Sequence, residues 1–360
     1  MLFGAGRGAE EFLQYLDAGK IGARLVAIID NDSTLWGKTL NGFDIIAPSD
    51  LVHIEFEKIV VTSISGREVI ACQLDRMGYS YPDDYLLIGR FPPTYMNALR
   101  RINAEIGGFP RIEGMECLHI GPGGFLGLEA LLYCFGASRV CSIDKFAFGI
   151  HYPDITPLYK SYAAVKENIG SFTETARNKK EALSRFQSLF EDRSGRIQID
   201  SEKIAYSYPV DVCKMNEIKD RFDLVLSFGV LEHASEPEAA VSEIARVTRP
   251  GGISLHVIVT RDHRCNSKVG NRSPFSFRSY GADEWETISR KKFYQNRLLP
   301  VEWKCLFEEN GFNIHRYQPE ERIDIDDDLL QSFDSAFHRF TRADLGEVDC
   351  LIMAERAGAF

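Results

Sequence analysis

The chain lacks any CxxC pair and any cysteine or histidine spacing that would build a zinc site. Its eight cysteines, at positions 72, 117, 134, 141, 213, 265, 305 and 350, are scattered, several of them in apolar runs. They read as reduced core residues and not as a disulfide framework. No apolar run approaches the roughly 20 residues of a membrane-spanning helix, and the N-terminus has no signal-peptide layout. These absences point to a cytoplasmic protein without a membrane span. Positive charge is also short: 42 Lys and Arg stand against 52 Asp and Glu, a net charge of -10. A nucleic-acid substrate is disfavoured, because a phosphate backbone demands a basic footprint. At 360 residues the chain is long enough for two or three domains.

What is present is most informative from Cys117 to Asp144. Cys117–Ile120 is a short apolar run that ends at Gly121-Pro122-Gly123-Gly124, where a backbone without Cβ atoms turns tightly and lets a ligand lie against it. A helix is predicted over Phe125–Phe135 and a strand over Arg139–Ile143. Asp144 follows, about 20 residues beyond the turn, where a carboxylate can accept hydrogen bonds from ribose hydroxyls. Further on, Phe222–Ser227 reads as a buried strand, Pro237–Val247 as an amphipathic helix, Pro250-Gly251-Gly252 as a turn and Ile253–Val259 as another strand.

GPGG followed by Asp144, then FDLVLSFGVLEH, then RVTRPGG resembles the class I S-adenosylmethionine-dependent methyltransferases over residues 112–354. The resemblance implies an α/β fold whose last strand, Val348–Glu355, inserts antiparallel. It implies S-adenosyl-L-methionine as cofactor, Gly121, Pro122, Gly123 and Gly124 as its loop, Asp144 on the ribose, Asp211 on the adenine, and Phe228 and Gly229 beside the methionine or the acceptor. One departure concerns loop order: the acidic residue such enzymes often carry two positions before the first glycine is His119 here.

The first hundred residues form a separate unit. Gly4, Gly6 and Ala9 make a GxGxxA arrangement, Leu25–Ile29 reads as a strand, and Asp30 stands at its end, where a doubly wound sheet places a ribose-binding acid. Strands are predicted at Lys58–Thr62 and Tyr85–Ile88, with a helix over Arg67–Met77. The pattern resembles the nucleotide-binding domains that open sugar-nucleotide-modifying enzymes of polysaccharide assembly. Two readings stand side by side: a nucleotide or nucleotide-sugar site at Gly4, Gly6 and Asp30, or a module for docking or homodimer formation. The unit has no Tyr-x-x-x-Lys pair, which argues against redox chemistry. The glycine turn begins three residues after Met1, so either the chain continues upstream or the first strand is clipped.

The expected fold is therefore two doubly wound Rossmann-like domains, residues 1–108 and 109–360. They divide at Gly107-Gly108-Phe109-Pro110, after a helix over Thr94–Ile106. A helical cap insertion is expected at about 145–205, its aromatics Phe146, Phe148, His151, Tyr152, Tyr159 and Tyr162 either lining an acceptor pocket or packing on the sheet. An acceptor loop is expected at about 260–300. Methyl transfer to a hydroxyl needs a group that removes a proton. His263 and His256 are the leading candidates for that base, with Asp262 as orienter and His233 as a third base. Arg261, Arg264 and Arg297, with Arg272, are candidate clamps for an anionic group on the acceptor. The stretch H-x-x-x-x-R-D-H, then SPFSF and YQNRL, resembles a subset of methyltransferases of surface-polysaccharide biosynthesis and points to a sugar, nucleotide-sugar or oligosaccharide acceptor. Alternatives are a small natural-product acceptor, or an idle fold used as a binding subunit. The acidic run Asp324–Asp328 reads as helix N-terminal charge, and no metal is assigned.

Overall fold

A computed structural model describes residues 1–17, 24–63, 66–80, 83–87, 100–102, 104–105, 112–123, 126–147, 152–154, 166, 169, 176–266, 272–290 and 294–358. They fall into two compact units: Met1–Gly89 with Arg261–Phe293, and Arg90–Thr260 with Tyr294–Phe360. The break expected at Gly107–Pro110 lies outside the described residues. So does most of the helix expected over Thr94–Ile106, of which 100–102 and 104–105 are helical.

The first unit holds β1 (Leu2–Phe3), β2 (Ile28–Ile29), β3 (Thr39–Leu40), β4 (Phe43–Ile46), β5 (Ile59–Val61) and β6 (Tyr85–Leu87) in one sheet, ordered β3-β4-β2-β1-β5-β6. Only β3 and β4 pair antiparallel. Although β1 has two residues, it is paired on both sides, with β2 and β5, which buries Leu2 and Phe3. Helices Arg7–Asp17 and Arg67–Arg76 follow β1 and β5, the strand–turn–helix rhythm of a doubly wound sheet.

In the second unit, β7 (Glu116–Ile120), β8 (Arg139–Ile143), β11 (Ile204–Ser207), β12 (Phe222–Phe228), β13 (Thr248–Ile258), β14 (Phe312–Arg322) and β15 (Glu347–Arg356) form a seven-stranded sheet ordered β11-β8-β7-β12-β13-β15-β14. The first five pair parallel, and β15 runs antiparallel between β13 and β14, as expected for the last strand. β12 is buried along nearly its whole length, because helices such as Gly127–Cys134, Pro237–Val247 and Pro300–Glu309 cover a parallel sheet on both faces.

The insertion departs from a purely helical cap. After the helix Ala176–Gln187 comes a hairpin, β9 (Phe190–Arg193) and β10 (Arg196–Ile199). Its turn, Ser194-Gly195, has φ of +56° and +80°, the pair of left-handed residues a two-residue hairpin needs. Tyr152 donates to the Ile204 carbonyl and packs on Tyr206, the packing role, whereas Phe146 is 37% exposed. Phe148, His151, Tyr159 and Tyr162 lie outside the described residues. Within the acidic run, Asp326 accepts from the Leu329 N–H and caps the helix Asp327–Gln331. Cys117, Cys134, Cys141, Cys213 and Cys350 are buried free thiols, as the core reading requires; Cys305 is exposed. No described helix is long and apolar enough to cross a membrane.

Candidate active site

β7 ends at Ile120, and the chain turns through Gly121 (φ +71°), Pro122 and Gly123 (φ +74°), left-handed values that L side chains adopt at a cost. Gly124 lies outside the described residues. The Gly121 N–H donates to the Ile143 carbonyl at 2.8 Å and the Gly123 N–H to Asp144 Oδ2 at 3.3 Å. Asp144, at the end of β8, is 6% exposed. A Cβ added to Gly121 would lie 2.4 Å from Val230 Cγ2. The turn therefore sits where β8 flanks β7 on one side and β12 on the other. Such a reversal of strand order opens a ligand crevice beyond the carboxyl ends of the strands.

The other residues that the sequence suggests for the cofactor are Asp211, Phe228 and Gly229. Asp211 follows β11; its Oδ2 lies 2.8 Å from Lys145 Nζ and its Oδ1 accepts from the Cys213 N–H. Burial raises its pKa, but the bonds to Lys145 and Cys213 outweigh burial and leave it below the usual value. Phe228 closes β12 and is nearly buried, and Gly229 has φ +67°.

β12 leads into a short turn, Leu231–His233. Asn296 clamps it: its N–H donates to the Glu232 carbonyl at 2.7 Å, and its Nδ2 donates to the carbonyls of Leu231 and Ala234. His233 is held by Tyr294, whose carbonyl lies 2.7 Å from Nδ1. A carbonyl can only accept, so Nδ1 carries the hydrogen and Nε2 is the basic nitrogen. Glu232 Oε1 lies 3.9 Å from that nitrogen.

Residues 192–255, which contain this turn, match the family model described as Methyltransferase domain. The second unit thus contains a segment similar to a methyltransferase domain. Residues 1–82 match the family model described as C2185-like, N-terminal. No curated protein matches the chain. Among solved structures, a phosphoethanolamine N-methyltransferase from Haemonchus contortus is 13% identical over 74% of this chain and 53% of its own, with a TM-score of 0.39. The N-methyltransferase NodS from Bradyrhizobium japonicum is 12% identical over 80% and 98%, with a TM-score of 0.35. An S-adenosylmethionine-dependent methyltransferase from Mesorhizobium loti is 13% identical over 68% and 92%, also at 0.35.

In the second unit, His256 is a core residue and not the base that the sequence suggests. It is fully buried, its Nδ1 lies 2.7 Å from Ser227 Oγ and its Nε2 2.6 Å from Ser254 Oγ, and its ring packs on Phe307. With both nitrogens engaged inside the sheet it meets no acceptor. Burial pushes its pKa from 6.5 down to about 3. Folded His256 thus stays neutral where the unfolded chain takes up a proton. Between about pH 6.5 and pH 3 the unfolded state binds more protons, and stability falls as pH drops, by at most ~1.4 kcal/mol per pH unit from this residue. Urea titrations at pH 7, 6 and 5 should show that loss, and His256→Gln should lessen it.

The segment Arg261–Phe293, grouped with the first unit, corrects three further expectations. Asp262 is fully buried and grips Arg264 with both oxygens, at 2.6–3.0 Å. It therefore orients an arginine, not a histidine. Arg264 also lies over the rings of Tyr280 and Trp285, so its guanidinium is built into this segment and is not free to clamp a substrate. The His263 pKa is pushed down to about 4 by burial and by Arg261, which makes it a weak base near neutrality. Arg272 lies 3.9 Å from Asp32 in the same unit, and Arg297, in the second unit, sits over the Phe337 ring.

In the first unit, Gly4 has φ +110°, and a Cβ added to Gly6 would meet no described atom within 4 Å. Asp30 Oδ2 accepts from the Ala5 N–H and Oδ1 from the Asp32 N–H, both at 2.7 Å. Asp30 thus ties the glycine turn to the next loop, and each oxygen retains one lone pair.

Proposed function

We propose that the protein is an S-adenosylmethionine-dependent O-methyltransferase whose acceptor is a hydroxyl of a sugar or sugar-derived molecule. The observation that carries the methyl-donor part is the glycine turn bonded to Asp144 at the strand-order reversal. The donor set is compatible with an adenosyl cofactor: the turn has two glycines at positive φ without Cβ atoms, and the Asp144 carboxylate at its side would accept from ribose hydroxyls. Gly121–Gly123 would hold the methionine side, Asp144 the ribose and Asp211 the adenine side. S-adenosylmethionine supplies, when bound, an electrophilic methyl group on a sulfonium. His233 accepts the hydroxyl proton at Nε2, with Nδ1–H fixed by the Tyr294 carbonyl, and Glu232 favours the imidazolium that results. The sugar acceptor is supported by the sequence resemblance of the stretches at 256–263, 273–277 and 294–298. The first unit then serves as a nucleotide-sugar site or as a docking module.

Calorimetric titration with S-adenosylhomocysteine tests the donor site. Micromolar binding is expected for the native protein. Asp144→Ala removes two charge-assisted hydrogen bonds and should weaken binding by ~100-fold or more. Folded protein without affinity for S-adenosylhomocysteine would sink the reading. With binding in hand, turnover of nucleotide-sugars and oligosaccharides set against phenols and amines separates a sugar acceptor from a natural-product one.

A further inference from the structure

Glu129, the third residue of the helix Gly127–Cys134, is fully buried, a costly place for a carboxylate unless it is partnered. Its Oε1 lies 2.5 Å from His119 Nδ1 and accepts from Ser142 Oγ at 2.8 Å. His119 and Ser142 are also buried, and they are direct register partners on β7 and β8. Each stands two residues before a residue of the donor site: His119 before Gly121, Ser142 before Asp144. One carboxylate oxygen thus bridges both strands just below the points where one becomes the glycine turn and the other ends in the ribose acid. Glu129 Oε2 and His119 Nε2 have no hydrogen-bond partner among the described residues. An apolar pair of similar volume would leave neither atom unsatisfied, so the arrangement is poor as core filling alone.

We propose that Glu129 is a positioning residue for the cofactor site, setting through His119 and Ser142 the spacing between the Gly121 turn and Asp144. This rests on the donor-site reading above. Two variants test it by S-adenosylhomocysteine titration beside thermal unfolding. The double variant His119→Leu with Glu129→Leu removes both polar partners without stranding a charge, and Ser142→Ala removes only the tie to β8. Both should fold; the double variant should bind about tenfold more weakly or worse, and Ser142→Ala about threefold more weakly. Ile244→Ala, a deletion elsewhere in the core of the same domain, should lower Tm and leave affinity unchanged, which separates positioning from general loosening. If the double variant does not fold, Ser142→Ala decides. A folded variant of either kind that binds as tightly as the native protein overturns the proposal. Native protein that binds while Asp144→Ala does not keeps the donor site standing whatever the Glu129 result. Native protein that fails to bind removes both.

Discussion

His233→Gln is expected to lower kcat by ~10²- to 10⁴-fold, the usual contribution of a positioned general base, while S-adenosylhomocysteine affinity stays within about threefold. The split follows from the local geometry. Glutamine can still donate to the Tyr294 carbonyl, so the turn that Asn296 clamps keeps its shape. What is lost is a nitrogen lone pair beside Glu232, and a glutamine amide cannot replace it as a base at neutral pH. Steady-state kinetics with whichever acceptor the screen identifies, paired with calorimetry, checks both halves. Turnover unchanged in the variant would remove His233 as base. A parallel loss of cofactor affinity would make it a structural support of the turn. His256→Gln belongs in the same experiment, because its burial and its two serine partners predict normal turnover.

The second large effect is expected at Gly121. Gly121→Ala imposes two penalties at once. An L residue held at φ +71° costs ~1–2 kcal/mol, and its Cβ would stand 2.4 Å from Val230 Cγ2, an overlap of the kind that costs ~1–3 kcal/mol. The turn then has to move away from β12, which should abolish measurable S-adenosylhomocysteine binding and lower Tm by several degrees. Adding Val230→Ala removes the overlap but not the strained φ. The double variant should therefore regain part of the stability and only part of the affinity. Full recovery of binding in the double variant would show that the crowding alone mattered; no loss in Gly121→Ala itself would mean that the turn does not hold the cofactor.

The elements of the seven-stranded sheet are legible in the sequence where they carry their own local signal. Arg139–Ile143 and Pro237–Val247 occupy the bounds that their periodicity predicts, and the glycine turn follows β7 as Asp144 follows β8. The hairpin β9–β10 also had a signal, Ser194-Gly195 between two short apolar-containing runs. It was overshadowed by the helical periodicity just before it. The strand Leu25–Ile29 shrank to Ile28–Ile29 because a strand extends only as far as its partners, and both β1 and β4 offer β2 a two-residue register.

The sequence by itself determined the αβ order, the glycine turns, the carboxylates that follow β2 and β8, and the short supply of basic residues, since backbone conformation and hydrophobic period are local properties. It did not distinguish among three histidines, because a histidine's role depends on what its two nitrogens meet. Only the tertiary structure buried His256 between two serines, pinned Nδ1 of His233 to a carbonyl 61 residues away, and spent Asp262 on Arg264. The same holds for His119, which reads along the chain as a missing acid. Folding brings it the Glu129 carboxylate from the next helix, a pairing that exists only once β7, that helix and β8 pack together.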